Sequence, residues 1–506
     1  MSQIRRQSII SSLMVYIGFA LGFVNTYLFT KEGGFSQEEY GLVGIFIAIA
    51  TLMYTVANLG MPSYIYKFFP YYKDNLPAKK NDLMTWAMLV SLFGFCLVIV
   101  GGIVFKQLII QKFGKHSPLL IHYYYWLFPF GLGLTLYSML EAYAWQINRP
   151  IITNFLREIQ FRLFTTILIV LTLLGLLTSF DWFVRLYSIS YLGIAIFLFI
   201  YLYRKGEIHF TLTISKVSKK YYKKVLTLIS FVFGGTLLYG ISLIFDSLVI
   251  ASVLPKGLAS VAVFSLGQYM ANLIQAPQRG IIASSMGPLS QAWKNKDLAR
   301  INKIYKQSAI NQLIFATAIF SLIWLNFEDG IITFHLQKNY LDAKWVFFFV
   351  GLYRIVDMGT GLNAQIISTS TLWRFEFYTG SILLLLTLPL TYFLTKSSLE
   401  ILGPPIATLI SFIIYNSIRC WFLWYKYQLQ PFSNKTIFTV LLTLFCYGIC
   451  YFLFHQFHGF WWMTLRSICF LGLFIWGMLK LNLSTDVIPV FETLKKKIGL
   501  KKGNAA

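Results

Sequence analysis

The residues that could do chemistry are few and lie inside long apolar stretches. Between positions 258 and 284, Gln268, Asn272, Gln275 and Arg279 recur at i, i+4, i+7 and i+11. On a continuous helix that spacing puts four polar groups, ending in a cation, on one face. Such a face can wall a hydrophilic cavity, or it can hold neighbouring helices by hydrogen bonds. Arg354 and Asp357 fall at i, i+3 in another apolar stretch, with Gly361 and Gln365 continuing roughly the same face. They can neutralise one another. Alternatively, Arg354 is released to bind an anion while Asp357 takes up a proton or a cation. Gly235, Tyr239, Ser242 and Asp246 share a third face. Asp246 is a candidate coupling carboxylate, although Arg185 and Arg466 fall at the same membrane level and could neutralise it. Arg162, Arg419 and Glu141 lie near the ends of their stretches and are expected to snorkel toward headgroups.

The same chain lacks the constellations of an enzyme. It has no Walker loop, no HExxH and no nucleophile elbow. Its six histidines are scattered, and His455 and His458 sit between Phe and Trp residues as an interfacial belt would. The five cysteines (Cys96, Cys420, Cys446, Cys450 and Cys469) have no metal-ligand spacing and read as packing residues. No cofactor, metal or catalytic residue is expected.

Those polar faces must be positioned by membrane helices. The chain is 57% hydrophobic and only 12% charged, with mean hydropathy +0.65, far outside the balance of a soluble domain. Apolar runs recur at the length a bilayer demands, and lipid cannot satisfy a backbone that is not helical. Fourteen spans are expected, at 8–29, 41–66, 83–105, 119–146, 155–177, 181–203, 225–251, 258–284, 307–326, 343–369, 374–395, 400–425, 436–454 and 461–481. The fold class is therefore all-α, a polytopic membrane protein. The first run follows Arg5 and Arg6 but is too long for a cleaved leader and has no small-residue cleavage site.

Lys and Arg concentrate in alternate connections: Arg5 and Arg6, Lys67 to Lys80, Arg204 to Lys224, Lys294 to Lys306, and Lys495 to Lys497. The positive-inside rule then places both termini in the cytoplasm. This placement explains a net charge of +24 through topology and anionic lipid headgroups, with no need of nucleic acid. The other connections are too short to hold an external catalytic domain.

The basic segment 204–224 divides the first twelve spans into two sets of six. An offset of 218 positions brings Gly22 onto Gly240, Phe46 onto Phe264 and Pro70 onto Pro288. We read residues 1–203 as one six-helix lobe, 204–224 as a cytoplasmic linker and 225–425 as a second lobe related by an internal repeat. Residues 426–483 add two helices, and 484–506 form a basic amphipathic tail on the inner membrane surface. Repeats of this kind place a substrate path between the halves.

Several segments resemble a known family. Gly18 and Gly22, the run Phe35 to Leu42, and Asn58-Leu59-Gly60-Met61-Pro62 leading to Phe69-Pro70-Tyr71-Tyr72 look like the start of polysaccharide flippases. In the second half, Asp246, Val263 to Tyr269, Gly287 to Ser290, Asn363 to Thr371 with Arg374, and Gly403 to Thr408 are similar in style. These are the O-antigen and capsule (Wzx-type) flippases of the multidrug/oligosaccharidyl-lipid/polysaccharide exporter superfamily. The resemblance implies two six-helix lobes in a V that alternate between inward-open and outward-open states. It implies a bacterial inner-membrane protein that moves an undecaprenyl-pyrophosphate-linked oligosaccharide from the cytoplasmic to the periplasmic leaflet. Arg279 and Arg354 would then attract the pyrophosphate, and Gln268, Asn272 and Gln275 would meet sugar hydroxyls. Asp246 or Asp357 would couple H+ or Na+. Other partners would be membrane lipids and further polysaccharide-assembly proteins. Lipid II flippases carry arginines deep in their first two helices, where this chain has Asn25 and Asn58, which argues against lipid II as cargo. The alternatives are a cation-coupled drug exporter of the same superfamily and a membrane-embedded glycan polymerase or ligase.

Overall fold

The computed structural model describes the backbone of residues 3–372 and 374–484. It describes their side chains apart from 3–9, 11–13, 231, 235, 239, 279, 280, 283, 284 and 287. The expected amphipathic tail lies almost wholly outside the described residues.

Among the described residues every regular element is a helix. We number the principal ones α1 (Gln3–Thr30), α2 (Gln37–Ala57), α3 (Met61–Asn75), α4 (Leu83–Val104), α5 (Leu127–Gln146), α6 (Phe161–Leu173), α7 (Ser190–Arg204) and α8 (Lys216–Val253). They continue as α9 (Gly257–Gln275), α10 (Gln278–Lys294), α11 (Leu298–Thr333), α12 (Ala343–Gly359), α13 (Asn363–Thr369) and α14 (Arg374–Lys396), and end with α15 (Gly403–Tyr427), α16 (Asn434–Phe454) and α17 (Phe460–Lys480). Ten helical stretches among the described residues are long and apolar enough to cross a bilayer, and α12 with α13 makes an eleventh that bends by 46°. The remaining expected spans are helical but shorter or interrupted. Met14–Thr30 is the apolar part of α1. The run 119–146 is broken ahead of α5 by a 3-10 turn at Tyr124–Trp126, and 155–177 opens on a π-turn at Phe155–Gln160.

Punctuation residues explain where helices differ from expectation. The run 41–66 stops at Ala57, because Asn58 Oδ1 accepts the Gly60 amide at 2.7 Å and Gly60 has φ 77°. Gly60 is the residue that adopts this geometry cheaply, and Pro62 then opens α3. The run 258–284 is two helices, α9 and α10, with Pro277 at the N-cap of the second. Conversely, Lys216 to Lys224 is not linker but the opening turns of α8, capped by Ser215 Oγ on the Ser218 amide at 3.1 Å.

The contacts divide the chain into two units, Met1–Ala262 and Val263–Ala506. This is later than the basic segment that divides it in the sequence. In the first unit α5 packs against α2 and α7, α1 lies along α6, and α8 lies along α2 and α3. The base of α8 is pinned by Asp82, which is fully buried. Asp82 Oδ2 accepts Ser218 Oγ at 2.7 Å, the Ser215 amide at 2.9 Å and Trp86 Nε1 at 3.1 Å. Tyr72 adds its hydroxyl to Ser218 at 2.7 Å, and burial pushes that phenol up, so it acts only as a neutral hydrogen-bonding group. In the second unit α14 and α15 form a tight pair, α12 packs on α11 and α15, and α16 and α17 pack together on α11.

Candidate functional site

The polar groups of the second unit meet where α12 ends. At Gly361 the chain takes φ +67°, and a Cβ there would lie 3.0 Å from Ala309. Glycine therefore permits both the turn and the close approach to α11. The bend between α12 and α13 exposes backbone polar groups inside a span, and nearby side chains take them up. Thr360 Oγ1 donates to the Asp357 carbonyl at 2.8 Å and to Asn416 Oδ1 at 3.0 Å. Asn363 Nδ2 donates to the same Asn416 oxygen at 2.7 Å. Thr360, Asn363 and Asn416 are all buried.

Asp357 sits at the edge of this knot. Gln278 Nε2 donates to its Oδ2 at 3.1 Å, and Asn416 Nδ2 lies 3.5 Å from its Oδ1. Gln278 Oε1 in turn accepts Gln275 Nε2 at 2.7 Å. Among the described residues the carboxylate is thus met by amides rather than by a cation. Arg354, one turn earlier on α12, turns away: its Nη2 donates to Asn272 Oδ1 at 3.2 Å, and its guanidinium lies 4.7 Å from the Tyr353 ring. Its Nε is buried without a hydrogen-bond partner. Among the described residues Arg354 and Asp357 form no ion pair, although their spacing allows one.

Of the expected polar face, Asn272 and Gln275 belong to this cluster. Gln268 is half-buried two turns earlier on α9 and has no hydrogen bond to the cluster among the described residues. The backbone of Arg279 is in α10, but its side chain lies outside the described residues, as do those of Gly235 and Tyr239. The break at Ala276 and Pro277 resets the helical register, so the line drawn from Gln268 to Arg279 is not one continuous face. Asp246 is half-buried on α8 in the first unit. Gln278, Thr360 and Asn416 were not singled out from the sequence. Each is a polar residue in or beside a span, and that alone was an available signal.

The three charges expected to snorkel, Arg162, Arg419 and Glu141, each have an ion-pair partner within the protein instead. Arg419, 1% exposed, pairs with Glu376, donates from Nε to Thr379 Oγ1 at 3.1 Å and lies 3.8 Å from the Tyr415 ring. Arg162 pairs with Glu158 at 3.1 Å, and Glu141 with Arg157 at 3.3 Å. Neither arginine suggested for Asp246 is committed to it. Arg185 holds Asp181 at 2.5 Å, and Arg466 holds the buried Asp329. His458 is not simply a belt residue either, because its Nδ1 lies 2.6 Å from Asp329 Oδ1.

No family profile and no curated protein matches the sequence. Solved structures do. A lipid II flippase, MurJ, in an inward closed conformation superposes with a TM-score of 0.70 at 17% identity, covering 95% of this chain and 100% of that one. An inward-facing multidrug resistance MATE transporter of the MOP superfamily gives 0.60 at 15% identity, covering 83% and 97%. A MATE protein in complex with MaL6 gives 0.53 at 15% identity, covering 83% and 95%. The chain shares the overall fold of these solved transporter structures.

Within this fold the first unit is tied by polar contacts between α1 and α6. Asn25 Nδ2 donates to the Arg162 carbonyl at 3.0 Å, and its Oδ1 accepts Thr166 Oγ1 at 2.5 Å. Asn58 is spent on the turn into α3. Asn25 and Asn58 thus both do structural work.

Proposed function

We propose that this protein is a transporter that flips an undecaprenyl-pyrophosphate-linked oligosaccharide across the bacterial inner membrane by alternating access. Movement is from the cytoplasmic to the periplasmic leaflet, with both termini cytoplasmic. The observation that carries the reading is the separation of Arg354 from Asp357. A cation in a span is expensive unless its charge is compensated. Here the available carboxylate one turn away is held by Gln278 and approached by Asn416, while Arg354 is left with Asn272 and an unpartnered Nε. A planar fork with spare donors suits a phosphate, which it can grip with two parallel hydrogen bonds. Gln268, Asn272 and Gln275 supply amides for sugar hydroxyls, and Arg279 adds a second cation on the adjoining helix.

Asp357, and Asp246 on α8, are the carboxylates for H+ or Na+ coupling. Membrane lipids and other polysaccharide-assembly proteins are the remaining partners. The test is surface-glycan export in cells depleted of the wild-type protein. Arg354→Ala and Arg279→Ala should each lower export at least about tenfold, the scale of one lost charged hydrogen bond. Normal export by both variants would remove the cavity assignment.

A second reading, a cation-coupled drug exporter, draws on Asp357 itself: a carboxylate held by amides is a plausible cation site. Sensitivity of a knockout to cationic drugs, with normal surface glycans, would favour it.

A further inference from the structure

A second cluster stands in the first unit, outside the site just described. Helix α5 places Tyr137, Glu141 and Trp145 at i, i+4 and i+8, on one face. The short helix Pro150–Asn154 brings Thr153 against them. Tyr137 donates its hydroxyl to the Thr153 carbonyl at 2.7 Å and to Glu141 Oε1 at 3.3 Å, and Trp145 Nε1 donates to Thr153 Oγ1 at 3.0 Å. The π-turn Phe155–Gln160 then presents Arg157, whose Nη1 reaches Glu141 Oε2 at 3.3 Å. A π-turn is an irregularity that often marks a functional position.

Two features of this cluster point outward to a ligand. The Arg157 side chain is 53% exposed, against 9% for Glu141. Among the described residues its guanidinium makes that one long contact, so most of its donors are uncommitted. Beside it, Trp145 stacks on Tyr66 of α3, with centroids 6.3 Å apart and planes 16° apart, and both rings are about half-exposed. Thr153 accepts Trp145 Nε1 on its hydroxyl and Tyr137 on its carbonyl, and Tyr137 and Arg157 both reach Glu141, so the rings and the charged pair share one neighbourhood. A tryptophan of an interfacial belt turns its N–H toward headgroups. Trp145 turns its N–H inward to Thr153 and leaves ring surface outside.

We propose that Arg157 with the Tyr66–Trp145 pair is a docking site for a glycosyl pyrophosphate. The fork takes the pyrophosphate in exchange for its weak contact with Glu141, and the aromatic surface takes the C–H face of the first sugar. This rests on the reading of the chain as a carrier of lipid-linked glycans. By the charge bias the cluster lies at the cytoplasmic end, where such a substrate would arrive.

The test is titration of the purified full chain in nanodiscs. The probes are farnesyl-pyrophosphoryl-N-acetylglucosamine, farnesyl pyrophosphate and UDP-N-acetylglucosamine, which separate a lipid-borne from a nucleotide-borne ligand. Arg157→Lys should weaken every glycosyl pyrophosphate that binds by about tenfold, because a lysine cannot replace a two-pronged grip. Trp145→Ala should weaken the sugar-bearing probes and leave farnesyl pyrophosphate unchanged. Glu141→Gln, by freeing the fork, should tighten binding about threefold, a gain that a misfolded variant could not give. Binding that ignores all three substitutions overturns this inference and leaves the transport reading standing. No binding of any probe by the wild-type chain overturns both. Unchanged export and lipid-probe binding in Arg354→Gln would remove Arg354 from the transport site and leave this inference standing.

Discussion

Two aspartates of the second unit, Asp329 buried and Asp357 half-buried, are held in opposite ways. Asp329 on α11 is closed: Arg466 from α17 pairs with one oxygen, His458 approaches the other at 2.6 Å, and Arg466 Nε also binds Asn326 at 3.0 Å. Asp357 on α12 is open: an amide from Gln278 and a distant one from Asn416 meet it, and its neighbouring arginine faces elsewhere. A closed pair costs little once formed and ties α16 and α17 to α11. An open carboxylate and an open guanidinium in a low-dielectric setting hold back interactions that a ligand or an ion can complete. Asp329 is therefore a structural clasp, whereas Asp357 and Arg354 have the chemistry that the proposed function asks of a site.

Breaking the clasp should give the largest effect on stability. Arg466→Ala strands the buried Asp329 carboxylate and should cost about 3–5 kcal/mol, seen as a sharp fall in thermal midpoint and in the amount of folded protein. Asn416→Ala removes the acceptor shared by Thr360 and Asn363 and should cost about 1–3 kcal/mol, with export falling as the α12–α13 bend loosens. Asp357→Asn keeps the shape and the shorter amide contact, with its one remaining oxygen accepting from Gln278. It should change stability by less than about 1 kcal/mol while abolishing coupled export, measured as surface glycan per folded molecule. His458→Phe should matter least, because its ring is largely exposed and exposed pairs contribute about 0–1 kcal/mol. A small loss there beside a large loss for Arg466→Ala would confirm that the arginine closes the clasp.

The sequence is most legible where the signal is local. Apolar runs located the helices, and the polar residues Asn272, Gln275, Arg354 and Asp357, picked out inside apolar runs, do come into hydrogen-bonded neighbourhoods. It failed where a break or a distant partner decides the outcome. Pro277 divides what looked like one helix and brings Gln278, rather than a continued face, to Asp357. Asn58 and Gly60 end α2 early, although Asn-Leu-Gly-Met-Pro contains the stop signals for it. The sequence offers Arg419 as a snorkelling charge and Arg466 as a neutraliser of Asp246, because their partners Glu376 and Asp329 lie far away in sequence, on other helices. Periodicity on one helix cannot show which charge another helix supplies.

The central claim is that the separated Arg354 and Asp357 carry transport. Its most direct test is leaflet translocation of a lipid-pyrophosphate oligosaccharide in proteoliposomes, comparing wild type with Arg354→Gln at matched folded protein. We expect the wild-type chain to move the lipid and the variant to be slowed at least about tenfold, the loss of one charged hydrogen bond to phosphate. Translocation by Arg354→Gln at the wild-type rate would contradict the account.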